Sequence, residues 1–193
     1  MDPKQASRGD DMAGSNVRFT VIDYLNLPEH PRHELIEGDI VLAPSPSPRH
    51  QIVVGNIAAA LRSWIKRMRL GTVLCAPIDV MLSNETVVQP DILVIFNENG
   101  HIIQDRIEGP PDLVVEVLSP STKVRDLTVK RRLYASHGVK EYWIVDADLR
   151  TFQVNSWTSD GYQSAATFTD ADKLFSPLLG EFRPDVRDAF EDI

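Results

Sequence analysis

PPDLVVEVLSPSTKVRDLTVKRRLYASHGVKEYWIVD fills residues 110–146, and the fold turns on how it is read. Leu113–Leu118 is an apolar run of strand length. The segment Thr122–Ser136 has helical spacing and stops at Gly138, and EYWIVDA resumes as a strand. Strand, helix, strand in this order points to a mixed α/β domain. Glu116 interrupts the first run. An unpaired buried carboxylate costs on the order of several kcal/mol, so Glu116 requires a partner.

The helix supplies a candidate partner. At about 100° per residue, Leu127, Leu133 and Tyr134 mark its apolar arc, and Lys130 projects into the middle of that arc. Arg125, Arg131 and Arg132 project elsewhere. Asp91 is a second carboxylate in an apolar setting, following Pro90 and preceding Ile92–Ile95. Proline removes a ladder donor, so a strand bends or begins there. On neighbouring strands, Asp91 and Glu116 would repel unless a cation lay between them. Mg²⁺ is commonly held by one or two carboxylates.

Metal-assisted phosphodiester hydrolysis suits such a set. Asp91, Glu116 and a backbone carbonyl near Val117 would hold Mg²⁺, with Mn²⁺ as an alternative, and Lys130 would orient water or offset developing charge. Each residue also has a structural reading: Asp91 as a strand-start residue, Glu116 as a satisfied core carboxylate, Lys130 as a lysine snorkelling to solvent.

Outward from this stretch, residues 1–16 are small and polar and read as a disordered leader, with 17–193 as one domain. FTVIDYLNLPEH reads as a short helix ending near Pro28, and HELIEGDIVLAP as a hairpin around Gly38–Asp39. Ser47 and Pro48 open a long amphipathic helix through Val53, Val54, Ile57, Leu61, Trp64, Ile65 and Met68, with Gly71 as its expected C-terminal cap. His50 lies on that apolar stripe. TVLCAPIDVML and TVVQPDILVIF read as strands, Pro77 marking a bulge or edge. EYWIVDA and TFQVNSW form a hairpin across Asp148–Leu149, with YQSAATF as a third strand. The sheet is expected to be largely central, and the tail to end in a short helix. Ser121 or Thr122 is the expected helix cap, and Tyr134 a core residue with its hydroxyl hydrogen-bonded.

The 193 residues carry a net charge of −8, which argues against indiscriminate nucleic-acid binding but leaves room for a local basic face. The basic clusters Arg62–Arg69 and Lys123–Arg132 read mainly as solvated helix faces. No apolar run approaches the roughly 20 residues of a membrane span, so no membrane association is expected. The N-terminus lacks a signal-peptide core, and the lone Cys75 excludes an internal disulfide and a cysteine-cluster zinc site. A cytoplasmic location is the expectation.

QPDILVI, PPDLVVEVLSPST and RDLTVKRRLYASHGVKEYWIVD, together with HELIEGDIVLAPSPSPRHQ, closely resemble the Uma-type putative restriction endonucleases of the PD-(D/E)XK nuclease superfamily over residues 17–185. The resemblance implies a restriction-endonuclease-like core, a central mixed β-sheet flanked by helices. It matches Asp91 to the Asp of the PD motif and Glu116 to the acidic residue of the second motif. Leu118 stands where the superfamily lysine usually does, and Lys130 matches a lysine moved to the following helix. Glu37 and His50 also fall on family-like positions, Glu37 as a further acidic residue of the site and His50 as a contact to phosphate or a metal-bound water. The expected function is an Mg²⁺-dependent endonuclease acting on DNA. The alternative is a catalytically inactive module on the same fold, binding DNA or protein partners. A homodimer is compatible with the first, since cutting both strands needs two sites.

Overall fold

The computed structural model of the protein describes residues 17–193; the expected leader at 1–16 lies outside them. The elements are α1 (Val21–Leu25), β1 (His33–Ile36), β2 (Asp39–Leu42), α2 (Pro48–Met68), β3 (Gly71–Cys75), β4 (Val80–Ser83), β5 (Thr86–Val88), β6 (Ile92–Phe96), β7 (Ile107–Glu108) and β8 (Leu113–Val117). Then come α3 (Lys123–Arg125), a π-helical turn (Asp126–Lys130), α4 (Arg131–Ser136), β9 (Glu141–Asp146), β10 (Thr151–Thr158) and β11 (Gly161–Thr169). Short 3₁₀ helices cover Asn97–Ile102 and Val186–Phe190. Among the described residues no helix is long and apolar enough to cross a membrane.

The mixed α/β class is as expected, but the strands divide between two sheets. One has the order β2-β1-β5-β4-β7, the other β11-β10-β9-β8-β6-β3. The prolines explain the division. The stretches read as single strands across Pro77 and Pro90 each break there, so the chain leaves the larger sheet after β3, builds β4 and β5 in the smaller one, and returns as β6. Proline cannot donate to a ladder, and these are the points where the ladders end.

Side-chain alternation distributes the larger sheet between two cores. Leu113, Val115, Val117, Ile92, Val94, Trp143 and Val145 face α2. Val114, Leu93, Ile95, Tyr142 and Ile144 face the other way, toward Leu133 and Tyr134 of α4 and toward Ile36, Val80 and Val88 of the smaller sheet. Glu116 alternates with Val114 and so belongs to this second core. A third core, built on Val21, Tyr24, Leu35 and Val87, seats α1 on the smaller sheet.

Ser47 caps α2 by accepting from the His50 amide, and Pro48 is its first residue. The expected cap at its other end is not Gly71. Arg69 takes the left-handed conformation there (φ 55°), and Gly71 opens β3 against β6. A Cβ at Gly71 would lie 2.0 Å from the Ile95 carbonyl oxygen and 2.7 Å from Phe96 Cα. Close backbone approach, not helix capping, is the reason for glycine here. Gly71→Ala is therefore expected to destabilise the protein by about 3 kcal/mol, through forced separation of β3 from β6, measurable as a lower urea midpoint.

Candidate active site

Asp91 and Glu116 come together because β6 and β8 are antiparallel neighbours. Ile92 pairs with Val115, which brings Asp91 and Glu116 to adjoining positions one step further along. Asp91 Oδ2 accepts from the Val117 amide at 2.8 Å. Glu116 stands on the second-core face and is 4% exposed.

Lys130 reaches Glu116 from the next element. Its Nζ lies 2.9 Å from Glu116 Oε1 and 2.9 Å from Glu34 Oε1, and 3.7 Å from Asp126 Oδ1. All four side chains are almost completely buried. Snorkelling is thereby excluded for Lys130. The π turn over Asp126–Lys130 widens the helix at the point where both residues turn inward; such turns occur frequently at functional sites. Thr122 makes no side-chain cap at the helix start. The Ser119 hydroxyl instead meets those of Ser121 (3.1 Å) and Thr122 (2.9 Å). Tyr134 is buried as expected, donating its hydroxyl hydrogen to Glu116 Oε1 at 2.9 Å.

His50 arrives from the first turn of α2. Its Nε2 is 3.1 Å from Asp91 Oδ2 and 2.9 Å from the Val117 carbonyl oxygen, so this nitrogen carries a hydrogen directed at both. The other ring nitrogen, Nδ1, is buried without a partner.

Glu37 does not join this group. With Gly38 it forms the hairpin turn between β1 and β2, both residues at positive φ (49° and 83°), and its carboxylate pairs with Arg132. A two-residue turn of this type needs positive φ at both centres, which fixes Glu37 at the hairpin tip. Glu34 enters the site instead. It alternates with Ile36 on the face of β1 directed at the second core, accepts from the Gln89 amide at 2.9 Å, and meets Arg125 at 3.4 Å.

Two residues absent from the sequence reading thus belong to the cluster. Nothing in HELI singles out Glu34, since β1 is short and buried on both faces. Asp126 was detectable from its position one helical turn before Lys130. Asp126 Oδ1 is buried and has no hydrogen-bond partner.

The electrostatics follow from burial. Desolvation pushes Glu116 well above the usual carboxylate range, the Lys130 charge opposing this incompletely. Asp126 is raised for the same reason. For Glu34 burial is outweighed by Lys130 and the Gln89 amide, and its pKa falls below normal. Burial opposes charge on Lys130 too, but Glu116, Glu34 and Asp126 more than offset it and hold the ammonium protonated. His50 is raised: desolvation is overcome by Asp91 and the Val117 carbonyl.

These groups line one cleft of ≈ 390 Å³, walled also by Ser45–Ser47 and Ser119–Thr122. Among the described residues no three His, Cys, Asp or Glu side chains are arranged to hold a metal ion. Of the four carboxylates lining the cleft, Asp91 and Glu116 adjoin on neighbouring strands, with the Val117 carbonyl beside them. Hard oxygen donors in small number suit Mg²⁺, which retains much of its water. The excess of carboxylates over cations at the cleft suits it as well.

A family model described as "Uma2: Putative restriction endonuclease" matches residues 21–187. Among solved structures, a crystal structure of a putative nuclease belonging to DUF820, from Anabaena variabilis, is similar with a TM-score of 0.75. It shares 23% identity, over 89% of this chain and 97% of that one. Among curated proteins no match is found.

Lys130→Met is expected to cost about 3–5 kcal/mol in urea unfolding, because three carboxylates lose their buried counter-charge. Adding Glu116→Gln to that variant should restore part of the loss. An unchanged midpoint in Lys130→Met would refute the electrostatic account.

Proposed function

This chain belongs to the Uma2 family of putative restriction endonucleases, and on that premise we propose that it is an Mg²⁺-dependent endonuclease hydrolysing phosphodiester bonds of DNA. The single observation that carries the reading is the meeting of Asp91, Glu116 and Lys130, from two strands and the following helix, in one cleft.

In this proposal Asp91, Glu116 and the Val117 carbonyl hold Mg²⁺ or Mn²⁺. When bound, the ion supplies Lewis acidity toward a phosphoryl oxygen and lowers the pKa of water. Lys130 holds Glu116 and Glu34 in place with a fixed ammonium that offsets negative charge gathering in the transition state. Lys130 supplies from the following helix the lysine that Leu118 does not. Tyr134 restrains the Glu116 oxygen that Lys130 also contacts, leaving its other oxygen to the cleft.

His50 Nε2–H is directed at two of the proposed ligand oxygens. Were those oxygens to hold a cation, His50 would be left at the cleft wall to donate to a phosphate oxygen. Glu34 replaces Glu37 as the acidic residue from the N-terminal hairpin. A cytoplasmic homodimer, one site for each strand, completes the reading.

The rival is a module in which the Lys130 network is structural. Full engagement of Lys130 by carboxylates favours it, and cleavage separates the two. Purified protein with Mg²⁺ or Mn²⁺ is expected to cut DNA. Asp91→Asn, Glu116→Gln and Glu34→Gln should each lose about 100-fold or more in kcat, and Asp91→Asn should also lose heat of Mn²⁺ binding in calorimetry. Glu37→Ala should cut at the wild-type rate. Undiminished cleavage by Asp91→Asn and Glu116→Gln would remove the assignment, and folded wild-type protein that binds no divalent ion would favour the module.

A further inference from the structure

Charge is unevenly spread along this chain. It carries 28 Asp and Glu against 20 Lys and Arg, yet no acidic residue occurs between Asp39 and Asp79, where Arg49, Arg62, Lys66, Arg67 and Arg69 do. That span contains the whole of α2. Cations elsewhere on the surface have carboxylate partners: Arg18 has Glu85, Arg132 has Glu37, Arg150 has Asp170 and Lys173 has Asp185. Arg62, Lys66 and Arg69 are exposed and, among the described residues, pair with no carboxylate. A helix C-terminus favours cations in its last turn, which suits Lys66, but Arg62 lies further back than that field reaches. The same field favours acids in the first turn, and α2 has none there.

The three cations continue one face of α2. Gln51, Gly55, Ala59, Arg62 and Lys66 recur at spacings of three and four, so they form one stripe, and all are exposed. Arg69 follows at the next such position. The stripe starts at the cleft, because Gln51 lines it. Nothing obstructs the way from Gln51 to Arg62: a Cβ at Gly55 would meet no atom within 4 Å, and Ala59 adds only a methyl group. Arg62 leans on the edge strand β3, with Nη2 3.6 Å from Cys75 Sγ. The next residue, Ala76, lines the cleft and donates its amide to the Asp91 carbonyl oxygen. At about 1.5 Å per residue the stripe is about 27 Å long, which spans about eight phosphates of one duplex strand at about 3.4 Å each.

We propose that this stripe is a DNA-binding surface beside the cleft, along which the phosphates on one side of the cut are held by Arg62, Lys66 and Arg69. It rests on the nuclease reading given above for the choice of ligand. Phosphate contacts position a duplex without reading its sequence, so the stripe sets affinity and salt dependence and leaves the choice of site to other contacts. It also gives an acidic chain a local field that attracts a polyanion.

The test is equilibrium binding of a fluorescein-labelled duplex of about 30 base pairs to the full chain, read by anisotropy in EDTA over a potassium chloride series. Each phosphate contact contributes about 0.9 to the slope of log K against log salt. The triple variant Arg62→Gln, Lys66→Gln, Arg69→Gln is expected to lower that slope by about 2.7, so a fourfold rise in salt weakens the wild type about 40-fold more than the variant. The same loss of charge elsewhere, in Arg18→Gln, Arg150→Gln, Lys173→Gln, should leave the slope at the wild-type value. Thermal melting checks that each variant is folded, and Arg62→Gln alone, with an expected drop of about 0.9, decides if the stripe variant is not. Equal slopes in wild type and stripe variant, equal drops in the two triple variants, or no binding by the wild type overturn the surface. A parallel digest of the same duplex with Mn²⁺ keeps the two readings apart. Cleavage with equal slopes leaves the nuclease reading in place, and stripe-dependent binding without cleavage upholds the surface and overturns the nuclease reading instead.

Discussion

One ammonium group organises this protein's cleft. Lys130 Nζ is nearly sealed from solvent and sits between Glu34 and Glu116, with Asp126 close by. Each of these groups would be costly alone, and each is tolerable only because the others are present. The constraint is mutual and it reaches into every layer. Glu34 comes from the smaller sheet, Glu116 from the larger, and Lys130 and Asp126 from the helical segment packed against both. The polar cluster therefore joins elements that the apolar cores join elsewhere.

The two-sheet architecture has the same logic. Breaks at Pro77 and Pro90 send the chain from one sheet to the other and back, and the cleft opens where those crossings occur, with Ala76, Pro77, Gln89 and Asp91 in its wall. Asp91 gains its position from this return: the first residue after the crossing is held by the Val117 amide before β6 has properly begun. His50, from a helix on the opposite face of the larger sheet, reaches the same strand ends.

Much of this was legible in the sequence, for reasons that differ by residue. Glu116 and Lys130 announced themselves because each violated a local apolar pattern, and a violation in a buried element demands a partner. Asp91 was marked by the proline before it. Glu34 escaped notice because β1 is short and buried on both faces, so a single carboxylate there looks like ordinary hairpin polarity. Glu37 drew attention instead, and only the backbone conformation reveals that a turn had claimed it. The division into two sheets was equally hidden, since a proline inside an apolar run reads as a bulge or as a crossing with equal ease. Gly71 carried a similar ambiguity between a helix cap and a tight strand approach.

The π turn has a consequence of its own. It accommodates one more residue than an α-helical turn would, and that surplus lies between Asp126 and Lys130. Deleting a residue there would let the segment relax to regular α-helix, rotating everything beyond it against the sheets. Substitutions on the outer face leave this count untouched. For this segment chain length is itself a constraint, and an insertion or deletion of one residue would disperse the cluster it holds together.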